Sequence, residues 1–422
     1  MKGLPETWTV EPFSAVARYT TGRTPARANP AYWAKDVNLV PWVAISDMEE
    51  YGAITTTAES VSSAAFQDVF RGRIVPAGTL LMSFKLTIGR VATLDVPACH
   101  NEAIISIFPR AGVDQRYLGY FLSQVDYADH QDRQIKGNTL NQSKINQIQV
   151  ALPATKEQIH IADVLDCCRL GIHSERTAEA RARELKRSTM RELFRRGLRG
   201  AAQTETELGL QPANWNVAPL GSLGRVGNGS TPKRSIEAYW NDGRFPWLTS
   251  AKVYDRDITS ADQFVTETAL RKCHLPKVQP GALLMAITGQ GKTLGHCAVL
   301  RVEATVSQHV AYVQTDTVRA NPGFLRGYLE TQYDYLRQVG AGGGSTKGAL
   351  TCAFLRSLPV PLPPLVEQDE IVEVLDAIDR KIELHQEKRA VLEELFKALL
   401  HKLMTGEIDV NDLDLSALQP SA

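Results

Sequence analysis

Cysteine is scarce in this sequence, and long apolar runs are absent. Six cysteines occur among 422 residues, and none is spaced Cys-x-x-Cys, which disfavours a disulfide framework or a zinc ribbon. No apolar run approaches the ~20 residues that a membrane-spanning helix needs. The first residues also lack the pattern of a secretory signal peptide. These absences predict a reduced, cytoplasmic protein that does not cross a membrane.

The sequence also lacks a net charge, with 47 basic and 47 acidic residues, but the charges are unevenly distributed. Residues 212–363 hold 16 basic and 10 acidic side chains, an excess of +6. Residues 364–422 hold 6 basic and 14 acidic side chains, an excess of −8. Because position along the chain matters more than the sum, the neutral total does not exclude nucleic acid as a partner.

An internal repeat runs through almost the whole chain. Its register stays between 203 and 210 residues, for example from Gly22-Arg23-Thr24-Pro25 to Gly229-Ser230-Thr231-Pro232. Chance similarity would not keep register over this length, so the sequence indicates a duplicated unit. All six tryptophans take part, and they pair as Trp8 with Trp215, Trp33 with Trp240, and Trp42 with Trp247.

Each copy opens with short β-type runs between glycine and proline turns and closes with a long helix. In the second helix, a heptad seam runs from Ile371 to Leu403, 33 residues, and is apolar except at His385 and Arg389. The first helix starts the same seam at Ile161 but then shifts phase toward Leu185. Its end matches the end of the second helix at an offset of 206 residues, which predicts about four extra residues in the first helix.

The predicted fold class is α+β, with two similar domains of mixed α/β structure and two long helices in a pseudo-twofold repeat. The first helix is basic toward its end, from Arg181 to Arg199, and the second is acidic at its start, from Glu367 to Glu383. Antiparallel pairing into a coiled coil places these segments opposite each other, whereas two unrelated solvated faces are the alternative.

The predicted boundaries are 1–153 for the first domain, 154–211 for the central helix and linker, 212–363 for the second domain, 364–406 for the C-terminal helix and 407–422 for a tail.

Three near-matches to enzyme motifs fail. Asn29-Pro30-Ala31-Tyr32 lacks the second proline of an amino-methyltransferase signature, and Ala286–Thr293 lacks the first glycine of a phosphate-binding loop. Cys273-His274 and His296-Cys297 put adjacent residues where a zinc site needs spaced ligands. None of the three patterns recurs in the other copy. The sequence therefore predicts no catalytic residues and no metal ligands in this chain.

Polar loops recur at equivalent positions in the two copies, although their residues differ. They are rich in Asn, Gln, Arg and Lys, which bond base edges, and in Ser, Thr and Lys, which bond phosphates. Ordinary turn residues are the alternative interpretation. The candidate DNA-binding residues of the first copy are Arg23, Thr24, Asp47, Lys85, Thr87, Arg90, Asn101, Lys136, Asn138, Thr139 and Asn141. Those of the second copy are Ser230, Thr231, Lys233, Arg234, Ser250, Lys252, Gln290, Lys292, Thr293, Gln308, His309, Ser345, Thr346 and Lys347.

The whole pattern resembles the specificity subunit of type I restriction-modification enzymes. The resemblance rests on two divergent domains, each followed by a long helix that is entered through Leu-Pro-x-x-x-Glu-Gln. That motif spans Leu362–Gln368 in the second copy and Leu152–Gln158 in the first, where Ala154 replaces a second proline. In this family each variable domain, called a target-recognition domain, reads one half of a split DNA target.

The resemblance implies that the chain itself is not an enzyme. It implies double-stranded DNA, two modification subunits docked on the helices and restriction/translocase subunits as partners. S-adenosylmethionine, ATP and Mg are then expected on the partner subunits, with no cofactor in this chain. Two alternatives remain open at this point: the recognition subunit of a type II system with a fused nuclease-methyltransferase partner, and a coiled-coil scaffold that does not bind DNA.

Overall fold

A computed structural model gives the architecture of the chain. It describes residues 4–33, 39–127, 140–289, 292–342 and 349–413, together with the backbone of residues 132–134 and 137–139. The chain divides into two compact units. Unit 1 comprises Met1–Arg176 and Glu387–Ala422, and unit 2 comprises Thr177–Gln386.

The first domain lies in unit 1 and is built on a five-stranded sheet. The strand order is β2-β9-β6-β7-β4, beside a three-stranded sheet β5-β3-β8 and the pairs β1-β12 and β10-β11. The strands are β1 Thr9–Pro12, β2 Ala17–Thr21, β3 Val40–Val43, β4 Gly52–Ile54, β5 Glu59–Val61, β6 Thr79–Ser83, β7 Val91–Leu94, β8 Cys99–His100, β9 Ile104–Pro109, β10 Asp132–Gln134, β11 Gly137–Thr139 and β12 Gln149–Leu152. The helices are α1 Phe13–Val16, α2 Ser63–Asp68, α3 Gln115–Gln124, α4 Gln142–Asn146 and the long α5 Thr155–Arg196.

The second domain, in unit 2, repeats this topology. Its five-stranded sheet has the order β16-β23-β20-β21-β18, beside β19-β17-β22 and the pairs β15-β24 and β13-β14. The strands are β13 Gln203–Thr206, β14 Gly209–Pro212, β15 Asn216–Pro219, β16 Gly224–Asn228, β17 Phe245–Leu248, β18 Asp257–Ile258, β19 Phe264–Val265, β20 Leu283–Ala286, β21 Cys297–Leu300, β22 Thr305–Val306, β23 Val310–Thr315 and β24 Pro359–Leu362. The helices are α6 Glu267–Lys272, α7 Pro322–Thr331, α8 Tyr333–Ala341, α9 Cys352–Ser357 and the long α10 Leu365–Thr405.

The central strands of both sheets are continuous apolar runs because both of their faces are covered. All of β6 and all of β20 are buried. On one side of each sheet, the core continues into the helices: in unit 1 it includes Leu165 of α5 and Leu403 of α10. In unit 2 it includes Leu193 of α5 and Leu375 of α10. Each long helix therefore contributes one half to each unit.

Within each unit the two helices run antiparallel. In unit 1, Arg176 of α5 pairs with Glu393 of α10 at 3.1 Å. In unit 2, Lys186 pairs with Asp379 at 3.0 Å, and Arg199, just beyond α5, pairs with Glu370 at 2.7 Å. Later residues of one helix thus meet earlier residues of the other. The predicted α+β fold, with two similar domains and an antiparallel coiled coil, is confirmed.

Two details predicted for the first helix are wrong. The helices have nearly equal lengths, 42 residues for α5 and 41 for α10, so α5 carries no four-residue excess. Both end at a glycine with positive φ, Gly197 at 65° and Gly406 at 69°, the left-handed conformation that closes helices. These two glycines, rather than Gly200 and Gly406, are equivalent.

The heptad seam of α5 also keeps its phase. Leu185, which the sequence placed in the seam, is 52% exposed. Lys186 occupies the seam position instead, and its side chain is 14% exposed. Glu179 occupies the equivalent seam position one heptad earlier, and its side chain is also 14% exposed. Polar residues occupy the middle of the seam, so the apolar pattern alone suggested a phase shift that does not exist.

Candidate nucleic-acid interface

The Glu-Gln motif fastens each domain to the helix that follows it. In unit 1 the Gln158 side chain accepts from the backbone N–H of Asp114 at 2.8 Å and donates to the Pro153 carbonyl at 2.9 Å. Gln368 accepts in the same way from the N–H of Asn321 at 2.8 Å and donates to the Pro363 carbonyl at 2.9 Å. Both glutamines are buried, so each satisfies backbone groups that would otherwise be left without partners.

The preceding glutamate of the motif holds the start of each domain. Glu157 accepts from the indole N–H of Trp8 at 3.0 Å. Glu367 accepts from the indole N–H of Trp215 at 3.1 Å and from the backbone N–H of Leu198 at 3.0 Å. The motif is therefore a joint between each domain and the helix that follows it.

Two tryptophans in each domain support a loop that we call the Thr-Pro loop. It begins at Gly22-Arg23-Thr24-Pro25 in the first domain and at Gly229-Ser230-Thr231-Pro232 in the second. A Cβ on Gly22 would lie 2.1 Å from the His100 carbonyl oxygen, and one on Gly229 would lie 1.5 Å from that of Val306, so only glycine fits. The indole N–H groups then hold the loop backbone. In the first domain Trp42 donates to the Arg23 carbonyl at 3.0 Å and Trp33 to that of Ala26 at 3.2 Å. In the second, Trp247 donates to Ser230 at 3.1 Å and Trp240 to Lys233 at 3.2 Å.

An arginine stacks on the tryptophan pair of each domain. The Arg27 guanidinium carbon lies 3.9 Å from the Trp33 ring centroid, and that of Arg234 lies 3.7 Å from Trp240. Sequence reasoning selected Arg234 but missed Arg27. The signal was present, because Arg27 precedes Arg234 by 207 residues, the same interval that separates Trp33 from Trp240.

Several predicted contact residues present exposed side chains on these loops and their neighbours. They are Arg23 and Thr87 in the first domain and Lys233, Arg234, Lys292, Gln308 and His309 in the second. His309 is oriented by a 2.6 Å hydrogen bond between its Nδ1 and Thr288 Oγ1, and its Nε2 lies 3.2 Å from the Gln308 amide nitrogen. Cationic and amide groups of this kind can contact phosphates and base edges.

Comparison with known proteins places the chain in a family. The family described as "Type I restriction modification DNA specificity domain" matches residues 5–180 and again residues 212–394. The chain belongs to this family. It is therefore a DNA sequence-specificity subunit of a type I restriction-modification system, as the resemblance implied.

Individual relatives agree with this placement of the specificity subunit. The type I restriction enzyme MjaIX specificity subunit of Methanocaldococcus jannaschii is 22% identical, over 97% of this chain and 95% of the relative. Among solved structures, the S subunit of a type I system from M. genitalium aligns with a TM-score of 0.59 and 12% identity, covering 96% of this chain and 97% of that one. A chain from a study of type I complex assembly aligns with a TM-score of 0.57 and 17% identity, covering 96% and 99%. At these low sequence identities, the structural similarity shows that this chain and the two solved structures share a fold.

Other predicted contact residues of the specificity subunit are engaged in the fold. Asp47 caps a turn, accepting from the N–H of Ala44 at 2.9 Å and of Ala58 at 3.2 Å. Arg90 donates to the carbonyl of Met48 at 3.3 Å, and Lys252 pairs with Asp255 at 3.2 Å. In three further cases the side chain bonds locally: Asn101 accepts from the N–H of Ala103, Asn141 caps α4, and Thr293 bonds Tyr254.

The remaining predicted residues are half-buried or lie outside the described residues. The Thr24 hydroxyl is buried, the Lys85 ammonium lies 5.4 Å from the Phe84 ring, and Ser230, Thr231 and Ser250 are half-buried. Lys136, Gln290, Ser345, Thr346 and Lys347 lie outside the described residues, and Asn138 and Thr139 are described only by their backbone in β11. A DNA-binding role for any of these side chains stays a prediction.

Charged side chains join the second domain to its helices within unit 2. Asp379 of α10 lies 3.0 Å from Lys186 of α5, 3.3 Å from Arg256 and 3.8 Å from Arg326 of α7. Asp376 pairs with Arg256 as well. The side chains of Arg326 and Asp379 are only 8% and 10% exposed, so the low-dielectric surroundings make this network a fixed attachment.

The part of the chain that the structure describes holds no group of three or more His, Cys, Asp or Glu side chains arranged to bind a metal ion. None of its helices is both long enough and apolar enough to cross a membrane.

Proposed function

We propose that this specificity subunit reads a bipartite, asymmetric double-stranded DNA target, with one domain for each half. The observation that carries the proposal is one scaffold bearing two sets of contact groups. The sheets, the tryptophan pairs and the Glu-Gln joints are the same in both domains. At equivalent positions the exposed side chains differ, for instance Glu102 against His309. Two domains with the same fold but different side chains at the DNA-facing loops recognise different base sequences.

The two long helices fix the length of the unread spacer in this proposal. Each helix is about 60 Å long at 1.5 Å per residue. The Glu-Gln joints favour this role because they attach each domain to its helix, and in unit 2 the ion pairs of Asp379 add to that attachment. In this proposal the two half-sites lie on the same face of the DNA about one helical turn apart, ~34 Å.

The proposal also assigns the chemistry to other chains. Two modification subunits would dock on the helices, and restriction/translocase subunits would join through them. The long helices leave the side chains of Leu170, Val391 and Leu384 exposed, at 70%, 64% and 48%, and a docked subunit would cover such apolar groups. S-adenosylmethionine, ATP and Mg would bind to these partners, and the specificity subunit would act in the cytoplasm without catalytic residues of its own.

Selection from a pool of random duplexes tests the proposal. The full chain, assembled with its modification subunits, should enrich two different short sequence blocks separated by a spacer of fixed length without sequence preference. Gln308→Ala should relax one block only, because a lost base contact costs about 1–3 kcal/mol at that position. Gln338→Ala, a surface change on α8 of the same domain, should leave both blocks intact. A single continuous block, or no enrichment at all, would contradict the proposal.

A further inference from the structure

The two stacked arginines have the same geometry and different partners. In the first domain the rings of Trp33 and Trp42 meet edge to face at 5.1 Å and 86°, and Arg27 lies 3.9 and 4.9 Å from their centroids. In the second domain Trp240 and Trp247 meet at 5.2 Å and 90°, and Arg234 lies 3.7 and 5.0 Å from them. Stacking holds each guanidinium in a defined plane and leaves its N–H edge available.

A carboxylate occupies that edge in the first domain. Both terminal nitrogens of Arg27 donate to Glu59, at 2.5 and 2.9 Å, in a bidentate pair. Glu59 cancels the charge of the guanidinium and raises the pKa of Arg27, while Arg27 lowers the pKa of Glu59. A DNA phosphate could bind this guanidinium edge only by displacing the Glu59 carboxylate, so the pair disfavours a phosphate contact.

An amide occupies the same place in the second domain. Arg234 donates through one terminal nitrogen to the side-chain oxygen of Gln263. Gln263 follows Glu59 by 204 residues, within the register of the repeat. Because the amide is neutral, Arg234 keeps its full positive charge at the surface, with Lys233 exposed beside it.

We propose that the tryptophan-stacked arginine is a phosphate-contact site in each domain, open at Arg234 and closed at Arg27 by Glu59. The proposal rests on the proposed DNA-reading function. The open site pre-organises a planar donor edge, since stacking on Trp240 already fixes the side chain, and planar guanidinium edges match phosphate oxygens. The closed site makes the first domain contribute one phosphate contact fewer, so the two half-sites are held with unequal electrostatic strength.

Exchange of the two partners tests the proposal without disturbing the stack. Each neutralised phosphate contributes about 0.9 to the slope of log K against log salt, which is about 3.5-fold in affinity between 50 and 200 mM salt. Gln263→Glu should therefore reduce that fall in affinity about 3.5-fold, and Glu59→Gln should increase it by the same factor. Both replacements preserve size and lie at the surface.

Asp68→Asn is the matched control, because it removes a carboxylate from the same part of the first domain, where Asp68 accepts from the Tyr32 hydroxyl at 3.3 Å. The measurement is the fluorescence anisotropy of a labelled 30-base-pair random duplex with the full chain. Opposite shifts for the two exchanges and none for the control support the proposal. Unchanged slopes in both exchanges, or a Glu59→Gln shift no larger than that of Asp68→Asn, overturn it while the proposed function stands. An unaltered chain whose binding lacks salt dependence overturns the proposed function and this inference together.

Discussion

Replacing Asp379 with alanine is expected to lower the free energy of unfolding of unit 2 by about 3–5 kcal/mol. The side chain lies within 4 Å of Lys186, Arg256 and Arg326. Removing it leaves Lys186 and Arg326 to share Glu330 and leaves Arg256 with Asp376. Arg326, whose side chain is 8% exposed, has little access to water that could replace the lost carboxylate. For a unit of 210 residues, Thr177–Gln386, this loss corresponds to a fall of roughly 6–20 °C in melting temperature, measurable by differential scanning calorimetry.

Glu373→Ala provides the control for that variant. Glu373 lies six residues earlier on the same helix and is exposed, so its removal should change stability by less than about 0.5 kcal/mol. Equal melting temperatures for Asp379→Ala and Glu373→Ala would contradict this prediction. The charged network would then not be what attaches the second domain to its helices.

Acidification from pH 7 to pH 5 is expected to destabilise unit 1 by about 2 kcal/mol through His100. Burial lowers the pKa of His100 to about 4, below its usual value of 6.5. The folded state therefore holds the neutral ring, and its contribution to stability is complete above pH 6.5. That contribution is lost as the pH falls from 6.5 toward 4, because the unfolded chain binds the proton first.

Burial keeps the imidazole neutral and outweighs the hydrogen bond between Nδ1 and the Asn101 carbonyl oxygen, 3.2 Å away, which alone would raise the pKa of His100. The other ring nitrogen, Nε2, lies 2.5 Å from Ser106 Oγ. His100→Gln should flatten the pH dependence of the unit 1 melting temperature, whereas the same exchange at the exposed His173 should not. An equal acid response in all three proteins would assign the effect to other groups. Unit 2 carries Ser307 at the equivalent position, so any acid response of unit 2 comes from other groups, such as His296, whose pKa is also lowered by burial.

Much of the architecture was predictable because the same framework residues occur in both copies of the internal repeat. A glycine with a carbonyl against it, such as Gly229, or a buried glutamine such as Gln368 is under the same constraint in both copies, and repetition made these positions visible. The seam of α10 was predictable for another reason, since its apolar residues recur every 3.5 positions. The seam of α5 was misread where Glu179 and Lys186 occupy seam positions, because polar residues there give no periodic signal.

The roles of single site residues were harder to predict. Asp47 has the right chemistry for a base contact, but it serves backbone N–H groups of Ala44 and of Ala58, eleven residues away, a pairing that only the folded chain reveals. The stack of Arg27 depends on a three-dimensional meeting of loop and sheet. Local patterns therefore identified loops rich in polar residues, and left open which side chain in each loop is available to DNA.

Insertion of seven residues into both long helices, after Arg176 and after Gln386, tests the central claim most directly. Seven residues keep the heptad seam in register and lengthen each helix by about 10.5 Å, or about 3 base pairs. Selection from random duplexes should then return the same two sequence blocks with a spacer about 3 base pairs longer. Binding should be weaker, because 3 base pairs rotate one block roughly 100° around the DNA axis. Altered blocks, or an unchanged spacer, would contradict an account in which the domains read the sequence and the helices set the distance.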